Sequence, residues 1–224
     1  SLARVLLTRR LTASAPKATA KHPPKHPPAN RPESGRVHVP GLRVVQRLDK
    51  ETSGLLVFAR TIAAERHLQQ QFRAHSVIRR YLAIVHGRAS DATYDTLLIP
   101  DRGDGLRGSW GVFRRAKGEP PATAKPAVTH VQVEEHLQGA TLLSCYLETG
   151  RQHQIRIHLA EAGHPLVGEK VYIRDLRGLE LPAPRPLLHA TELGFVHPRS
   201  GRDLHFEDPP PPDFQAALAR LQRT

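Results

Sequence analysis

The sequence of 224 residues contains no methionine and one cysteine, Cys145. A lone cysteine cannot form an intramolecular disulfide, and it excludes a cysteine-rich zinc cluster. Because Cys145 lies in the apolar run 142–147, we expect a buried and unreactive thiol. A chain without methionine does not begin at its initiator, so we expect a processed form or a piece of a longer protein.

Long apolar runs are also missing. No run approaches the ~20 residues that a membrane-spanning helix requires, so we expect no membrane partner. The hydrophobic fraction of 39% still permits a real core. The length suits one large domain or two small lobes that share a core.

Acidic residues are scarce at the start of the chain. Residues 1–40 contain eight lysines and arginines and one acid, Glu33, and so carry +7 of the formal net charge of +12. This basic balance favours a polyanionic partner, with RNA or DNA as the leading candidate. The arginine-rich residues 1–21 are also similar to a transit peptide, so a mitochondrial matrix location is an alternative to the cytoplasm.

Apolar periodicity and turn residues predict many short strands and few helices. The predicted helices cover residues 1–11, 61 to about 75, 153–162 and a terminal segment from 213. The predicted strands cover residues 42–45, 55–59, 80–85, 129–135, 141–147, 188–196 and 203–206. Strands in antiparallel pairs favour an α+β fold, with a mixed, mainly antiparallel sheet and flanking helices.

Proline and glycine mark two regions that we do not expect in the core. Residues 13–40 contain paired prolines, which exclude a regular helix and predict a basic, flexible loop. Residues 101–126 are rich in glycine, arginine and proline and predict a long excursion. The predicted organisation is an N-terminal helix over 1–12, the basic loop over 13–40 and one folded domain over 41–224.

Asp49 is the first candidate for chemistry, because it lies in a turn between two apolar runs. A carboxylate at the end of a strand, on a short rigid loop, is suited to act as a nucleophile or as an acid–base group. The alternative is a structural ion pair between Arg47 and Asp49. The spacing of the residues leaves both interpretations open.

A second group of polar residues surrounds Arg156 in the predicted helix 153–162. Helical geometry puts Arg156 at the edge of the buried face, where a guanidinium needs a carboxylate or a phosphate. Asp49 is a candidate partner, and such a pair would keep its carboxylate ionised. His153 and His158 share no helix face, which argues against zinc. Hydrogen bonding at the start and flank of the helix is their alternative to catalysis.

Tyr81, in the predicted strand 80–85, has two interpretations as well. It is either an ordinary half-buried aromatic residue of a strand or a ring on which a base stacks. The residues alone leave these two interpretations balanced.

These motifs together resemble the RluA-type family of RNA pseudouridine synthases. The similar blocks follow the family's order over about three quarters of the chain, at residues 47–49, 52–56, 80–87, 149–159, 163–168, 188–190, 195–198 and 209. Members of this family isomerise a uridine already in RNA. The base is detached at N1, rotated and rejoined through C5.

The resemblance implies a pseudouridine synthase fold with a central RNA-binding cleft, and a catalytic domain over residues 41–224. Asp49 would be the catalytic carboxylate, which either attacks the anomeric carbon of the sugar or removes a sugar proton. Arg156 would pair with Asp49, and Tyr81 would stack on the flipped uracil and assist proton transfer at C5.

The resemblance also implies the partner. Arg47 would stabilise the extruded nucleotide, because a stacked base must leave the helix to be modified. Further contacts with the RNA or the base are expected from Thr52, Arg151, His153 and Gln154. The implied partner is ribosomal or transfer RNA, and we expect a cytoplasmic monomer that needs no metal or organic cofactor.

Some positions depart from the family pattern. Gln46 stands in place of a common histidine, Glu169 in place of an aspartate, and Ile173 in place of a glycine. We expect neither Glu169 nor Ile173 to contact the reacting groups. A strand with a Lys-Pro-Ala-Gly-like motif, which usually precedes the segment similar to 1–11, is missing, so the sheet is expected to lack a strand.

Two other functions remain as alternatives. The first is a catalytically silent RNA-binding relative that uses the same cleft, although Asp49, Tyr81 and Arg156 are all intact. The second is a glycoside hydrolase with paired carboxylates. That alternative is weak, because Glu51 is the one further carboxylate near Asp49 in the sequence and is expected to point to the wrong side of the strand.

Overall fold

The computed structural model describes residues 5–10, 41–112, 118–174, 176 and 178–222, with only the backbone described for 5–10. The strands in this part of the chain are β1 (Val5–Arg10), β2 (Arg43–Val44), β3 (Ser53–Ala59), β4 (Ile78–His86), β5 (Ala92–Ile99), β6 (Gly108–Ser109), β7 (Lys125–Leu137), β8 (Ala140–Leu147), β9 (Leu188–Val196) and β10 (Asp203–Glu207). The helices are α1 (Ile62–Arg73), α2 (Gln154–Glu161) and α3 (Pro212–Gln222). None of these helices is long and apolar enough to cross a membrane.

The described strands form one sheet in which hydrogen-bonded neighbours follow the order β1-β3-β9-β4-β8-β7-β5-β6. Strand β2 also pairs with β3, and β10 also pairs with β9. Within the described residues, β3 and β9 are the one parallel pair, and every other pairing is antiparallel. The predicted α+β class with a mainly antiparallel sheet is confirmed.

The parallel pairing of β3 with β9 requires a glycine at its centre. Gly54 lies opposite Ala190 and has a φ of +110°. A Cβ atom at position 54 would lie 2.2 Å from the carbonyl oxygen of Ala190. Since a side chain fits neither the dihedral angle nor the space, glycine allows the start of β3 to lie directly against β9.

The two faces of the sheet are covered by different helices. Side chains alternate along β4, so Tyr81 and Val85 join a core cluster with Ile155 of α2. Ile84 points to the other face and joins a cluster with Phe214 of α3. The α1 helix packs on a third cluster, formed mainly by β3 and β9. Tyr81 is therefore on the α2 face of the sheet.

Helix α1 begins and ends at residues with identifiable capping roles. The Oγ1 of Thr61 accepts a hydrogen bond from the backbone N–H of Ala64 (3.1 Å), which confirms Thr61 as the N-cap. His75, just after the helix, has a φ of 56°, and the N–H of Ser76 donates to the carbonyl oxygen of Gln71 (3.2 Å). This is a left-handed helix end in which histidine occupies the position usually held by glycine.

The N-terminal helix predicted over 1–12 is wrong for residues 5–10, which are the described part of that segment. Val5–Arg10 form strand β1, which pairs antiparallel with β3 from Val5 opposite Ala59 to Arg10 opposite Gly54. A helix of this length is marginal alone, whereas an unpaired edge of β3 offers backbone partners along its whole length. Strand β1 therefore extends the sheet beyond β3 at residues for which the sequence predicted a helix.

The remaining predicted elements agree with the structure except between residues 92 and 126. Strands β5 and β6 were not predicted, and Gly108 and Ser109 are buried rather than part of an excursion outside the core. Strand β7 begins at Lys125 and includes Pro126, which is tolerated near the first residue of a strand. The predicted basic loop over 13–40 lies outside the described residues.

Candidate active site

Asp49 lies on a tight turn that leads into β3. The backbone N–H of Thr52 donates to the carbonyl oxygen of Asp49 (3.1 Å) and closes the turn. Leu48 is buried in the core cluster of Tyr81, and Thr52 is buried on the other side of the turn. Because packing fixes both sides, the Asp49 side chain is held at the cleft with 15% of its surface exposed.

A buried arginine, Arg185, connects this turn to the rest of the fold. Its Nη1 donates to the carbonyl oxygen of Glu51 (3.1 Å), and its Nη2 donates to the Oγ of Ser53 (3.1 Å). Asp213, at the start of α3, accepts from Nε and Nη2 of the same guanidinium (2.6 and 3.1 Å). Burial alone would raise the pKa of Asp213, but the contact with Arg185 holds it below its ordinary value. Arg185 was not among the predicted site residues.

Arg156 on α2 lies between two carboxylates. Its Nη1 is 3.7 Å from Oδ2 of Asp49, so the predicted pairing with Asp49 is present. Its Nε and Nη2 donate to the two carboxylate oxygens of Glu169 (2.8 and 2.7 Å). Burial would lower the pKa of Arg156, but Glu169 first and then Asp49 raise it. The two-bond contact makes Glu169 the main anchor of the guanidinium.

Glu169 makes the contact with Arg156 that the sequence did not predict. It is 1% exposed, and its Oε1 also accepts from the backbone N–H groups of Lys170 and Val171 (3.0 and 2.9 Å). Burial would raise its pKa, but Arg156 and these N–H groups hold it below its ordinary value. Since Glu169 is enclosed and bound to Arg156, it is not placed to protonate a substrate. A paired-carboxylate glycosidase is therefore not supported.

The alternative ion pair between Arg47 and Asp49 is not formed, although both residues are described. The Asp49 carboxylate has Arg156 at ion-pair distance, and His153 Nε2 lies 4.0 Å from its Oδ1. Arg47 is exposed and lines the cleft. Its guanidinium is therefore placed to meet a ligand.

Tyr81 belongs both to the core and to the cleft. It is 8% exposed and packs in the cluster that contains Leu48 and Ile155, yet it also lines the cavity. Burial raises the pKa of Tyr81 to about 12, with Arg79 opposing this rise and Asp49 adding to it. At neutral pH the side chain is therefore an uncharged phenol next to the Asp49 turn.

The two histidines of α2 have different surroundings. His153 is the N-cap residue, with a φ of 60°, and its Nδ1 lies 2.8 Å from the hydroxyl of Tyr172. Burial lowers the pKa of His153, while Asp49 raises it. His158 is 2% exposed and makes hydrogen bonds of 2.9 Å to the hydroxyls of Thr96 and Thr129. His158 therefore has the hydrogen-bonding role that was the alternative to catalysis.

The amide of Gln154 is fully occupied inside the protein. Its Oε1 accepts from the hydroxyl of Thr149 (2.7 Å) and from the backbone N–H of Arg151 (3.0 Å). Its Nε2 donates to the carbonyl oxygen of Val128 and to the hydroxyl of Thr129 (2.9 Å each). Because an amide has two donors and two acceptor positions, this geometry assigns Gln154 to holding the loop before α2. A contact of Gln154 with the RNA remains only a sequence-based prediction.

A cavity of about 480 Å³ brings the predicted residues together. Its lining includes seven of the eight predicted site residues: Arg47, Asp49, Thr52, Tyr81, Arg151, His153 and Gln154. The eighth, Arg156, contacts Asp49 from behind this lining. The cavity extends to the end of α1, where Gln69, Phe72, Arg73 and His75 line it together with Arg79 and Gly150.

Possible metal ligands and the thiol of Cys145 are two further features that bear on chemistry. Among the described residues, no three or more histidine, cysteine, aspartate or glutamate side chains are arranged to hold a metal ion. Cys145 is fully buried, and burial raises the pKa of its thiol to about 12. The predicted buried thiol is confirmed.

The cleft combines a carboxylate on a fixed turn, a guanidinium 3.7 Å from it and a buried phenol. Such groups perform acid–base or nucleophilic catalysis when a substrate enters between them. The fold and this site together present a carboxylate to any substrate that enters the cleft.

Comparison with known proteins specifies the family. The family model described as RNA pseudouridylate synthase matches residues 15–161. Two human structures share the fold: RNA Pseudouridylate Synthase Domain Containing 4 (TM-score 0.66, 24% identity, 80% of this chain and 76% of that one) and Domain Containing 1 (TM-score 0.61, 27% identity, 80% and 74%).

Curated bacterial relatives are more similar in sequence. Ribosomal large subunit pseudouridine synthase D of Nitrosomonas europaea is 40% identical over 82% of this chain and 52% of its own length. The protein of the same name from Zymomonas mobilis is 41% identical over 84% and 58%. An uncharacterised RNA pseudouridine synthase of Bacillus subtilis is 40% identical over 80% and 56%. The chain thus spans about half the length of the curated relatives it matches. It belongs to the RNA pseudouridylate synthase family.

Proposed function

We propose that this chain isomerises uridine to pseudouridine within RNA, and that ribosomal RNA is the substrate to test first. The observation that carries the proposal is the Asp49 carboxylate, fixed on its turn 3.7 Å from Arg156 in a cavity that also contains Tyr81. Two similar relatives are named for the large ribosomal subunit, which supports ribosomal over transfer RNA. Action as a monomer in the cytoplasm is part of the same proposal.

The reaction moves the C1′ bond of one uracil from N1 to C5 and adds no atom to the RNA. Asp49 acts in one of two ways as the C1′–N1 bond breaks. It bonds to C1′ as a nucleophile, or it removes the C2′ proton and leaves a glycal. In both routes uracil turns within the cleft and bonds to C1′ through C5. The C5 proton is then lost, N1 gains a proton, and Asp49 returns to its starting state.

Tyr81 supplies the surface on which the detached uracil turns. Its ring lies on the cleft, and a base stacked there keeps contact while it rotates. Because the pKa of Tyr81 is raised to about 12, the phenol is uncharged at neutral pH. This favours stacking and hydrogen bonding over action as a free phenolate base.

Arg156 serves as a fixed positive charge for the carboxylate. Glu169 holds its Nε and Nη2, so Nη1 faces Asp49 without having to be ordered by the substrate. Preorganised charge of this kind stabilises developing charge without a reorganisation cost during the reaction. Arg47, exposed at the mouth of the cleft, is placed to contact the extruded nucleotide or the gap that it leaves.

The test compares the full chain with Asp49→Asn and Asp49→Ala. The substrate is large-subunit ribosomal RNA transcribed with 5-tritiated uridine, and tritium release reports bond formation at C5. We expect both variants to lose activity by about 10³-fold or more, with RNA binding and circular dichroism preserved. Glu51→Gln is the matched control, because it removes a carboxylate from the same turn without changing the lining of the cleft.

Each outcome of this comparison has a definite meaning. Turnover by Asp49→Ala would falsify the proposed role of Asp49. A wild-type chain that binds the RNA but releases no tritium, from this RNA or from total cellular RNA, would support the catalytically silent relative instead.

A further inference from the structure

Arg79 on β4 is a buried cation that the mechanism above does not use. It lies two residues before Tyr81, on the same side of the strand, and lines the same cavity. It is 8% exposed, and burial lowers the pKa of its guanidinium, with Tyr81 opposing this effect. An arginine still remains charged in such surroundings. The fold therefore keeps a desolvated positive charge at the wall of the cleft.

The contacts of Arg79 do not neutralise that charge. Its Nη2 donates to the carbonyl oxygens of Leu147 and Glu148 (3.1 and 2.6 Å), and its guanidinium carbon lies 5.5 Å from the centre of the Phe72 ring. Its Nε is buried and has no hydrogen-bond acceptor among the described residues. No carboxylate in the described part of the chain is paired with it, in contrast to the other two buried arginines. Arg156 is bound to Glu169, and Arg185 is bound to Asp213.

A missing side chain at position 150 keeps one end of this guanidinium open. A Cβ atom at Gly150 would lie 2.8 Å from Nη1 of Arg79. Gly150 lines the cavity as well, so Nη1 lies beside the cavity wall with no side chain between. No hydrogen bond within the described residues uses this Nη1.

We propose that Arg79 binds a backbone phosphate of the RNA next to the nucleotide that enters the Asp49 site. The inference rests on the proposed function for its substrate class. A planar guanidinium matches the oxygens of a phosphate, and a cation without a built-in anion gains most when the ligand supplies one. Arg73 lines the same cavity and adds a second positive charge, which strengthens the preference for an anion there.

Arg80 provides a matched control for Arg79. It is the next residue on the strand, points to the opposite face, and its Nε donates to Glu192 (2.7 Å). It does not line the cavity. Arg79→Gln and Arg80→Gln therefore remove the same charge, but only Arg79→Gln removes it from the proposed phosphate site.

The test is a double-mutant cycle between protein and RNA. The probe is a fluorescein-labelled strand of eleven nucleotides, with adenosines around one central uridine. In two further strands, the phosphate 5′ or 3′ of the uridine is replaced by a neutral methylphosphonate. We expect one of these replacements to weaken binding to the wild type and to Arg80→Gln roughly tenfold. Binding to Arg79→Gln should not be weakened further by the same replacement. For each protein, the dissociation constant of the methylphosphonate strand is divided by that of the unmodified strand. A change in protein stability affects both constants equally and cancels in this ratio.

A second variant tests the open end of the guanidinium. Gly150→Ala introduces a methyl group that displaces Nη1. We expect the methylphosphonate that weakens binding to the wild type to have a smaller effect on Gly150→Ala, as it does on Arg79→Gln. If the RNA backbone is the ligand, millimolar inorganic phosphate should leave the ratios of the wild type and of Arg79→Gln unchanged. If added phosphate abolishes the difference between these two ratios, the site binds free phosphate instead. If the protein and RNA changes are additive, the proposal is wrong whether or not the chain isomerises uridine.

Discussion

Two walls of the cleft differ in whether their buried arginines are paired with carboxylates of the protein. The Asp49 wall comprises the Asp49 turn with Arg156 and Arg185 behind it, and each of these arginines is bound to a carboxylate of the protein. The Arg79 wall comprises Phe72, His75, Arg79 and Gly150. Its buried guanidinium contacts carbonyl oxygens and an aromatic ring but no carboxylate of the described residues.

The difference separates positioning from binding. On the Asp49 wall the counter-charges are built into the fold, so the groups that we propose to act on the substrate are ordered before it arrives. On the Arg79 wall the described residues supply no carboxylate, so the buried guanidinium is paired only when a ligand supplies an anion. The pairing then contributes to the binding free energy of that ligand. Variants that disturb the charge balance of the Asp49 wall should therefore affect stability and turnover. Variants of the Arg79 wall should affect affinity.

The largest effect is expected from Glu169→Gln. This variant leaves Arg156 buried without its main carboxylate, and loss of one partner of a buried ion pair costs about 3–5 kcal/mol. We expect the free energy of unfolding, measured in urea, to fall by about that amount. We also expect kcat to fall by about 100-fold, since Nη1 is no longer held toward Asp49. The KM for RNA should change little.

Glu169→Asp separates positioning from simple stabilisation. The shorter carboxylate keeps the charge, so much of the stability should return. If positioning matters, kcat should recover only in part, because Arg156 would be drawn back with its partner. A Glu169→Gln variant that unfolds more easily but turns over normally when folded would show that Glu169 only stabilises the protein.

An intermediate effect is expected from pH, through His158 of α2, which is hydrogen-bonded to Thr96 of β5 and Thr129 of β7. Burial lowers the pKa of His158 from 6.5 to about 4, with the charge of Asp95 opposing this. Between these values the unfolded chain binds a proton that the folded chain does not, so stability falls as the pH falls. We expect His158 to account for a loss of about 3 kcal/mol in the free energy of unfolding between pH 7 and pH 4.

His158→Gln checks this assignment. Glutamine can still hydrogen-bond to the two threonines but does not titrate, so the loss of stability on acidification should be smaller by about 3 kcal/mol. His136→Gln, at an exposed position on β7, should behave like the wild type. An unchanged pH dependence in His158→Gln would show that other groups account for the acid sensitivity.

The fold was predictable where short-range patterns decide it. The Thr61 cap, the strand around Tyr81 and helix α2 follow from periodicity and local turn chemistry. Strand β1 was predicted as a helix because Val5–Arg10 suit either state, and its pairing with β3 decides the outcome. Strand β5 was not predicted, because its polar first half shows no apolar run and its place is set by pairing with β7.

The same distinction holds for the site. The predicted contact between Asp49 and Arg156 is present, because the chemistry of a half-buried guanidinium calls for an anion. The stronger contact with Glu169 was missed, since nothing in the sequence around residue 169 indicates what lies opposite it. Arg79 was missed for the opposite reason. Arg79 stands out because no carboxylate of the described residues is paired with it, and this depends on contacts that form only in the folded chain.

The smallest effect is expected at Thr61, and it tests how local the Arg79 wall is. Thr61→Ala removes the N-cap of α1 and should lower the free energy of unfolding by about 1 kcal/mol. Thr61→Ser keeps the cap and should restore most of that loss. Phe72 and His75 lie at the other end of α1, where the helix end is fixed by its own hydrogen bonds. Sensitivity to the methylphosphonate should therefore be unchanged in Thr61→Ala. If the methylphosphonate has a different effect on binding to folded Thr61→Ala, then α1 positions the Arg79 wall as one rigid body. The Arg79 wall would then depend on more of the fold than its own contacts indicate.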